Sequence, residues 1–488
     1  MSEKGVIESR PTVSRPSTAL SGRALWLSFA AATTGTFMVN VDASVVNVAL
    51  PVLQHQFQLP ISTLQWVITG YLLIITALLP MAGYLADALG RREVFMGGVL
   101  VFTLGSLASA LAPNFSGLVA ARVLQGIGGA TIMANVMAII ALIFPVHERG
   151  RALGLIGSVV AAGTLAGPPL GGLLTAWYGW RSIFWINLPV GLWGLWGSWR
   201  YLPHFPPDPH ASLQRFDWAG AGFFMATTSL LQFGLADLHH WTGLAFLAAD
   251  GLSLAAFIRI ESRNDHPLIP LRLFRVRAFS FNMLAGMAYW VLMMFPAFLM
   301  PFYLHTERHL PISWVGLSLV PQALAMIIVS PWGGRWADRR GIMGPGRTGL
   351  ALFILADVLL ASLPLSAPLW TIWLALAIIG VAAGLFSSPQ NAAVLNSVTA
   401  HDTGLASSLL ATQRNLGRAV GVALGSGILS LVWLLIGAGP NPSHTDPHYI
   451  HWLLIGIRGV FWSGIGFALI GLWLLTDPAK SPGSGGKA

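Results

Sequence analysis

The sequence predicts an all-α polytopic membrane protein of fourteen spans, two six-helix bundles with two helices inserted between them. Three observations carry this. The chain is 55% hydrophobic and only 9% charged, where a soluble domain is about 25% charged. Apolar stretches long enough to cross about 30 Å of hydrocarbon recur along its whole length. Two motifs return eight spans later, the spacing expected of two six-helix halves around a two-helix insert.

In chain order the spans fall at 25–50, 62–83, 94–112, 117–144, 152–175, 182–200, 217–235, 241–260, 279–303, 313–334, 346–363, 368–392, 405–436 and 452–476. The expected organisation is a cytoplasmic tail (1–24), an N-terminal bundle (25–200), a linker with two inserted helices (201–278), a C-terminal bundle (279–476) and a second cytoplasmic tail (477–488). The apolar segment after the polar first 23 residues is too long for the core of a cleavable signal, and it carries Asp42.

Charge placement orients the spans. With the N-terminus inside, inward segments hold 21 of the 27 Lys and Arg residues, and outer loops hold only Arg181 and Arg308. Arg122, Arg414, Arg418 and Arg458 lie within spans. The positive-inside rule then sets both termini in the cytoplasm of a bacterial inner membrane. The net charge of +9 has the same origin and calls for no nucleic-acid partner. With no cysteine, disulfide and thiol chemistry are excluded.

The repeat is explicit. Setting Pro80 of span 2 on Pro331 of span 10 superposes Gly83 on Gly334, Ala86 on Ala337 and Asp87 on Asp338. Setting His147 on His401 places Gly163, Gly167 and Gly171 of span 5 on Gly417, Gly421 and Gly425 of span 13.

Asp42 is the ionisable residue of span 1. A carboxylate in hydrocarbon costs several kcal/mol, so such groups mark ion or substrate paths. The alternative is a structural acid satisfied by Asn40, Ser44 or a neighbouring helix. In Gly83-x-x-x-Asp87-x-x-Gly90-Arg91-Arg92 the first glycine lets helices approach, Asp87 and the arginines can latch helix ends, and Gly90 permits the turn. Arg122, followed by Gln125-Gly126, lies toward the outer end of span 4, where it either snorkels to the surface or faces inward. Gly163-x-x-x-Gly167-Pro168-Pro169-x-Gly171-Gly172 makes a flat, proline-bent face in span 5, either for passive packing or for movement.

These motifs, with Asn47-Val-Ala-Leu-Pro51 and the Trp180–Gly191 stretch that holds Asn187, resemble the major facilitator superfamily. More narrowly they resemble its fourteen-helix drug:proton antiporter family, the QacA/EmrB type, over about residues 25–476. The resemblance implies the major facilitator fold. It also implies a secondary active transporter, not an enzyme, that exports small hydrophobic compounds, cationic ones included, in exchange for protons by alternating access. It gives proton coupling to Asp42 and Arg122. It gives conformational roles to Gly83, Asp87, Gly90, Arg91, Gly163, Gly167, Pro168, Gly171, Asp338 and Arg414. Candidate substrate contacts are Asp42, Asn47, Gln125, Tyr289, Trp290, Gln322 and Asn391. Span 9 is rich in Met and aromatic side chains, which suits either a promiscuous pocket or lipid contact.

No cofactor is expected, the proton gradient being the energy source, and no metal. Expected partners are a small-molecule substrate, protons and the lipid bilayer; a periplasmic adaptor stays open. Two departures bear on substrate charge. Span 10 lacks the second acid of relatives that export dications, and Arg418 stands where a small residue is usual, which weakens the cation preference. An exporter of a lipid or other amphiphile, and a proton-coupled solute symporter on the same fold, remain as alternatives. Asp357 in span 11 either partners Arg418 or Arg458 or is structural. The histidines at 239, 240, 444, 448 and 451 define no metal site by spacing alone.

Overall fold

The computed structural model describes residues 22–475 except 146, 209–215, 265–266, 365–366, 400–401 and 444–445. The expected tails, apart from residues 22–24, and the loop residues Arg215 and His444 lie outside the described residues. The first bundle comprises α1 (Gly22–Phe57), α2 (Ile61–Leu89), α3 (Arg91–Ala110), α4 (Phe115–Ile143), α5 (Arg149–Tyr178) and α6 (Ser182–Trp185 and Asn187–Tyr201). The inserted pair is α7 (Trp218–Ala236) and α8 (Trp241–Glu261). The second bundle comprises α9 (Arg277–Glu307), α10 (Ile312–Arg340), α11 (Met343–Ala361), α12 (Leu369–Asn396), α13 (Thr403–Leu435) and α14 (Tyr449–Leu474).

Among the described residues, thirteen helices are long and apolar enough to cross a membrane. The remaining segment, α6, is broken at Ile186. Pro189 lacks the N–H that would bond the carbonyl four residues back, so the helix restarts at Asn187. By contrast α1 runs through Pro51 to Phe57, past the predicted end of span 1. Pro301 precedes a π-turn, Tyr303–Glu307, that closes α9.

Packing repeats with the same offset as the motifs. In the first bundle α1 packs on α4, α5 and α6, α4 on α2 and α3, and α3 on α6. In the second, α9 packs on α12, α13 and α14, α12 on α10 and α11, and α11 on α14. Across the bundles α5 meets α10, α2 meets α13, and α1 meets α9. The insert lies beside this seam, with α7 against both α2 and α13.

Glycines set how closely the helices approach. A Cβ on Gly128 of α4 would stand 2.3 Å from the Phe102 nitrogen and 2.6 Å from the Gly98 carbonyl oxygen of α3. Backbone cannot yield as a side-chain tip can. Gly128→Ala is therefore expected to cost about 1–3 kcal/mol by overpacking. It should lower the melting temperature of the purified protein, and an unchanged melting temperature would count against so tight a crossing.

The bundles meet closely at one end, and motif glycines at the other stand in open space. At the end away from the arginines, a Cβ on Gly316 of α10 would lie 2.3 Å from the Pro168 carbonyl oxygen of α5, and one on Gly172 would lie 2.8 Å from the Ile312 carbonyl oxygen. Gln54 donates to Tyr449 (3.0 Å) and Ser62 to Asn441 (2.5 Å) across the same end. At the arginine-rich end, a Cβ on Gly83, Gly154, Gly157 or Gly404 would find nothing within 4 Å. The turns here use glycine's conformational range: Gly90 has φ of 104° and its counterpart Gly341 has φ of 80°. Across the first turn Arg91 pairs with Asp87 at 2.5 Å. Among the described residues Asp338 forms no ion pair, so the two copies of the motif differ.

Candidate functional site

Asp42 lies past the middle of α1 and is completely buried. Neither Asn40 nor Ser44 satisfies it: Asn40 donates to the Thr36 carbonyl, and Ser44 to those of Asn40 and Val41. Its partners come from other helices. Arg122 of α4 pairs with Oδ2. Oδ1 accepts from Gln125 of α4 at 2.8 Å and from Asn187 of α6 at 2.9 Å. Ser106 of α3 accepts from the same two amides, at 2.6 and 3.1 Å.

Local sequence explains the convergence. Arg122 and Gln125 are one turn apart and share a face of α4. A Cβ on Gly105 would lie 2.6 Å from the Gln125 nitrogen, so a glycine brings its neighbour Ser106 against that amide. The restart of α6 makes Asn187 its first helical residue.

The arginine turns inward, wholly buried, and does not snorkel. Its Nη1 also donates to Gln125 Oε1 at 2.6 Å, its Nε donates to the Val67 carbonyl at 2.9 Å, and the guanidinium lies 4.0 Å over the Tyr71 ring. Nη2 is buried with no hydrogen-bond partner. A buried ion pair is tolerable only when further hydrogen bonds meet its remaining needs. Asp42 meets that condition at Oδ1, which accepts from Gln125 and Asn187, and Arg122 falls short at one nitrogen. Proton addition to Asp42 would remove the charge that balances Arg122, which gives the pair a second state to move to.

The glycine-proline motif of α5 packs directly on this part of α1. A Cβ on Gly163 would lie 3.0 Å from the Phe37 carbonyl oxygen, one on Gly167 1.8 Å from Ser44 Oγ, and one on Gly171 2.7 Å from the Val45 carbonyl oxygen. Pro168 and Gly172, on the same helix, make the closed-end contact with α10. One helix thus touches both the Asp42 segment and the seal between bundles.

The structure does not gather all candidate substrate contacts. Gln125 belongs to the Asp42 cluster. Asn47 is buried in α1 with its Oδ1 unbonded. Tyr289 is enclosed in the second bundle, stacked on Phe386 at 5.0 Å and edge-on to Phe353 at 5.9 Å. Trp290 is half-buried beneath Arg418, whose guanidinium lies 4.7 Å from the ring. Gln322 is buried with Nε2 3.8 Å from Met293 Sδ, and Asn391 is exposed near the arginine-rich end of α12. Arg414, placed among the conformational residues, is half-buried on α13 one turn before Arg418.

Asp357 pairs with neither suggested partner. Its Oδ2 is buried without a hydrogen bond, beside Gly464 of α14, while Arg458 donates to the Leu363 carbonyl. Ser106, Asn187 and Tyr71 are the site residues that sequence reasoning missed. Asn187 had a signal, since it stands in a quoted motif two residues before a proline. A serine and a tyrosine in apolar helices carry none.

Residues 32–422 match the family model described as Major Facilitator Superfamily. The chain is 34% identical to the multidrug resistance protein B homolog of Mycobacterium tuberculosis (strain ATCC 25618 / H37Rv), covering 80% of this chain and 74% of the relative. It is 31% identical to the riboflavin transporter RibZ of Clostridioides difficile (strain 630), covering 82% and 87%. Among solved structures, a bacterial homolog of the human lysosomal transporter Spinster, inward-facing and occupied, superposes with a TM-score of 0.64 at 16% identity, covering 93% and 97%. At that identity the likeness speaks for the fold alone.

Proposed function

The chain belongs to the major facilitator superfamily, and we propose that it is a proton-coupled antiporter exporting small hydrophobic compounds by alternating access. The observation that carries this reading is the buried Asp42–Arg122 pair on α1 and α4, set against the α5 helix that also seals the bundles. In the proposed cycle the arginine-rich end faces the cytoplasm of a bacterial inner membrane and receives substrate in the state described above. A proton reaching Asp42 from outside releases Arg122 and changes the fit of α1 on α5. The Pro168–Gly316 contact transmits that change to the opposite bundle. Proton loss inward restores the ion pair. Relatives named as multidrug resistance proteins support export; the relative named as a riboflavin transporter favours solute transport as a second reading.

The test is a susceptibility panel in a strain stripped of its own exporters. Expression should raise tolerance to several hydrophobic compounds, and a protonophore should abolish the gain. Uptake of a labelled compound down an inward proton gradient would replace the antiport reading with symport.

A further inference from the structure

Arg414 and Arg418 of α13 form a second charged feature, which the proton cycle leaves unused. They stand 11 and 15 residues into a 33-residue helix, about 16 and 22 Å from its start at 1.5 Å per residue, so both lie at membrane depth. Asn415, between them, places its Nδ2 4.0 Å from Met133 Sδ of α4 in the first bundle, so this stretch of α13 faces the first bundle. Both arginines are half-buried, and the Arg414 Nε is buried with no hydrogen bond.

Among the described residues no carboxylate pairs with either arginine. Asp42 is committed to Arg122, and Asp357 lies against α14. Two guanidiniums at i, i+4 repel each other, and charges held at membrane depth need a counter-charge. Among the described residues Arg418 has the Trp290 ring and no carboxylate. From this we infer that the two arginines bind the head group of an amphiphilic organic anion, a carboxylate or phosphate, whose apolar body lies along Trp290, Met287 and Met293. Guanidinium forks match the planar or tetrahedral oxygens of such groups, and the soft, aromatic wall accepts varied bodies. The inference rests on the export reading for its transport role and gives that reading a substrate class. A cation would meet two unbalanced positive charges.

The experiment uses the purified full chain in detergent with two probes of similar ring system, anionic fluorescein and cationic rhodamine 6G, read by fluorescence polarisation. Fluorescein should bind at least about tenfold more tightly, and Arg414→Gln and Arg418→Gln should each weaken it about tenfold or more, as loss of a charged hydrogen bond does. The charge-keeping pair Arg414→Lys with Arg418→Lys should retain the preference, which separates lost charge from lost fold. Competition by phosphatidylglycerol but not phosphatidylcholine identifies a lipid head group as the anion source; competition by neither identifies a soluble anion. Rhodamine binding as tight as fluorescein, no fluorescein binding, or fluorescein binding unchanged by both glutamine variants overturns the inference. Gradient-driven transport of other compounds by the same preparations in proteoliposomes reads the antiport separately, so either can fail alone.

Discussion

Asp42→Asn is expected to abolish transport driven by a pH gradient and to destabilise the protein by about 3–5 kcal/mol, the usual cost of removing one partner of a buried ion pair. Asparagine keeps one acceptor oxygen where the carboxylate has two, and it carries no charge. Arg122, Gln125 and Asn187 all present N–H groups to the carboxylate, so the new amide nitrogen must face a donor whichever way it turns. The guanidinium of Arg122, already short of one partner, then stays charged in an apolar interior. The double variant Asp42→Asn with Arg122→Gln removes both charges and should recover much of the stability without recovering transport. Melting temperature in detergent and proton-driven transport in proteoliposomes measure the two effects on the same samples. If the single variant still transports under an imposed gradient, Asp42 is not the coupling group. If the double variant is no more stable than the single, the ion pair is not what holds α1 to α4.

How much of this could be read from sequence differs by type of interaction. The helices and their doubling were legible because span length and small-residue motifs are local properties, and offset copies of Gly83–Asp87 and Gly163–Gly171 need no knowledge of contacts. The pairings α1 with α5 and α9 with α13 show the same offset in packing. The break in α6 was not anticipated, although Pro189 marks it in retrospect. The coupling of Asp42 with Arg122 came from the resemblance and not from the residues themselves, because they are 80 apart and depth within a span does not say which face a side chain occupies. For that reason snorkelling and an inward turn both stood as readings of Arg122. Ser106 illustrates the limit most sharply: it contacts both amides of the cluster, yet no periodicity distinguishes it from any other serine in an apolar helix.

Gly316→Ala is expected to shift the protein toward its alternative conformation by about 5- to 150-fold, the ratio that 1–3 kcal/mol of overpacking produces. The added methyl would stand 2.3 Å from the Pro168 carbonyl oxygen and 3.1 Å from the Gly172 Cα. Both neighbours are backbone, so relief requires α10 to move away from α5. That movement opens the closed end, which makes the cost specific to one conformation and leaves each bundle's own packing intact. The chain contains no cysteine, so an engineered pair reports without background. Ser62→Cys with Asn441→Cys replaces a 2.5 Å hydrogen bond across the same end and should crosslink readily in an otherwise native chain. Crosslinking should halt transport, and a reductant should restore it. Adding Gly316→Ala should slow crosslinking, by at most the factor given above, and adding Gly128→Ala, which lies within one bundle, should not. Equal crosslinking rates with and without Gly316→Ala would mean that the closed end is held elsewhere. The Pro168–Gly316 contact would then no longer connect the α5 motif, and through it the Asp42 segment, to the gate between the bundles.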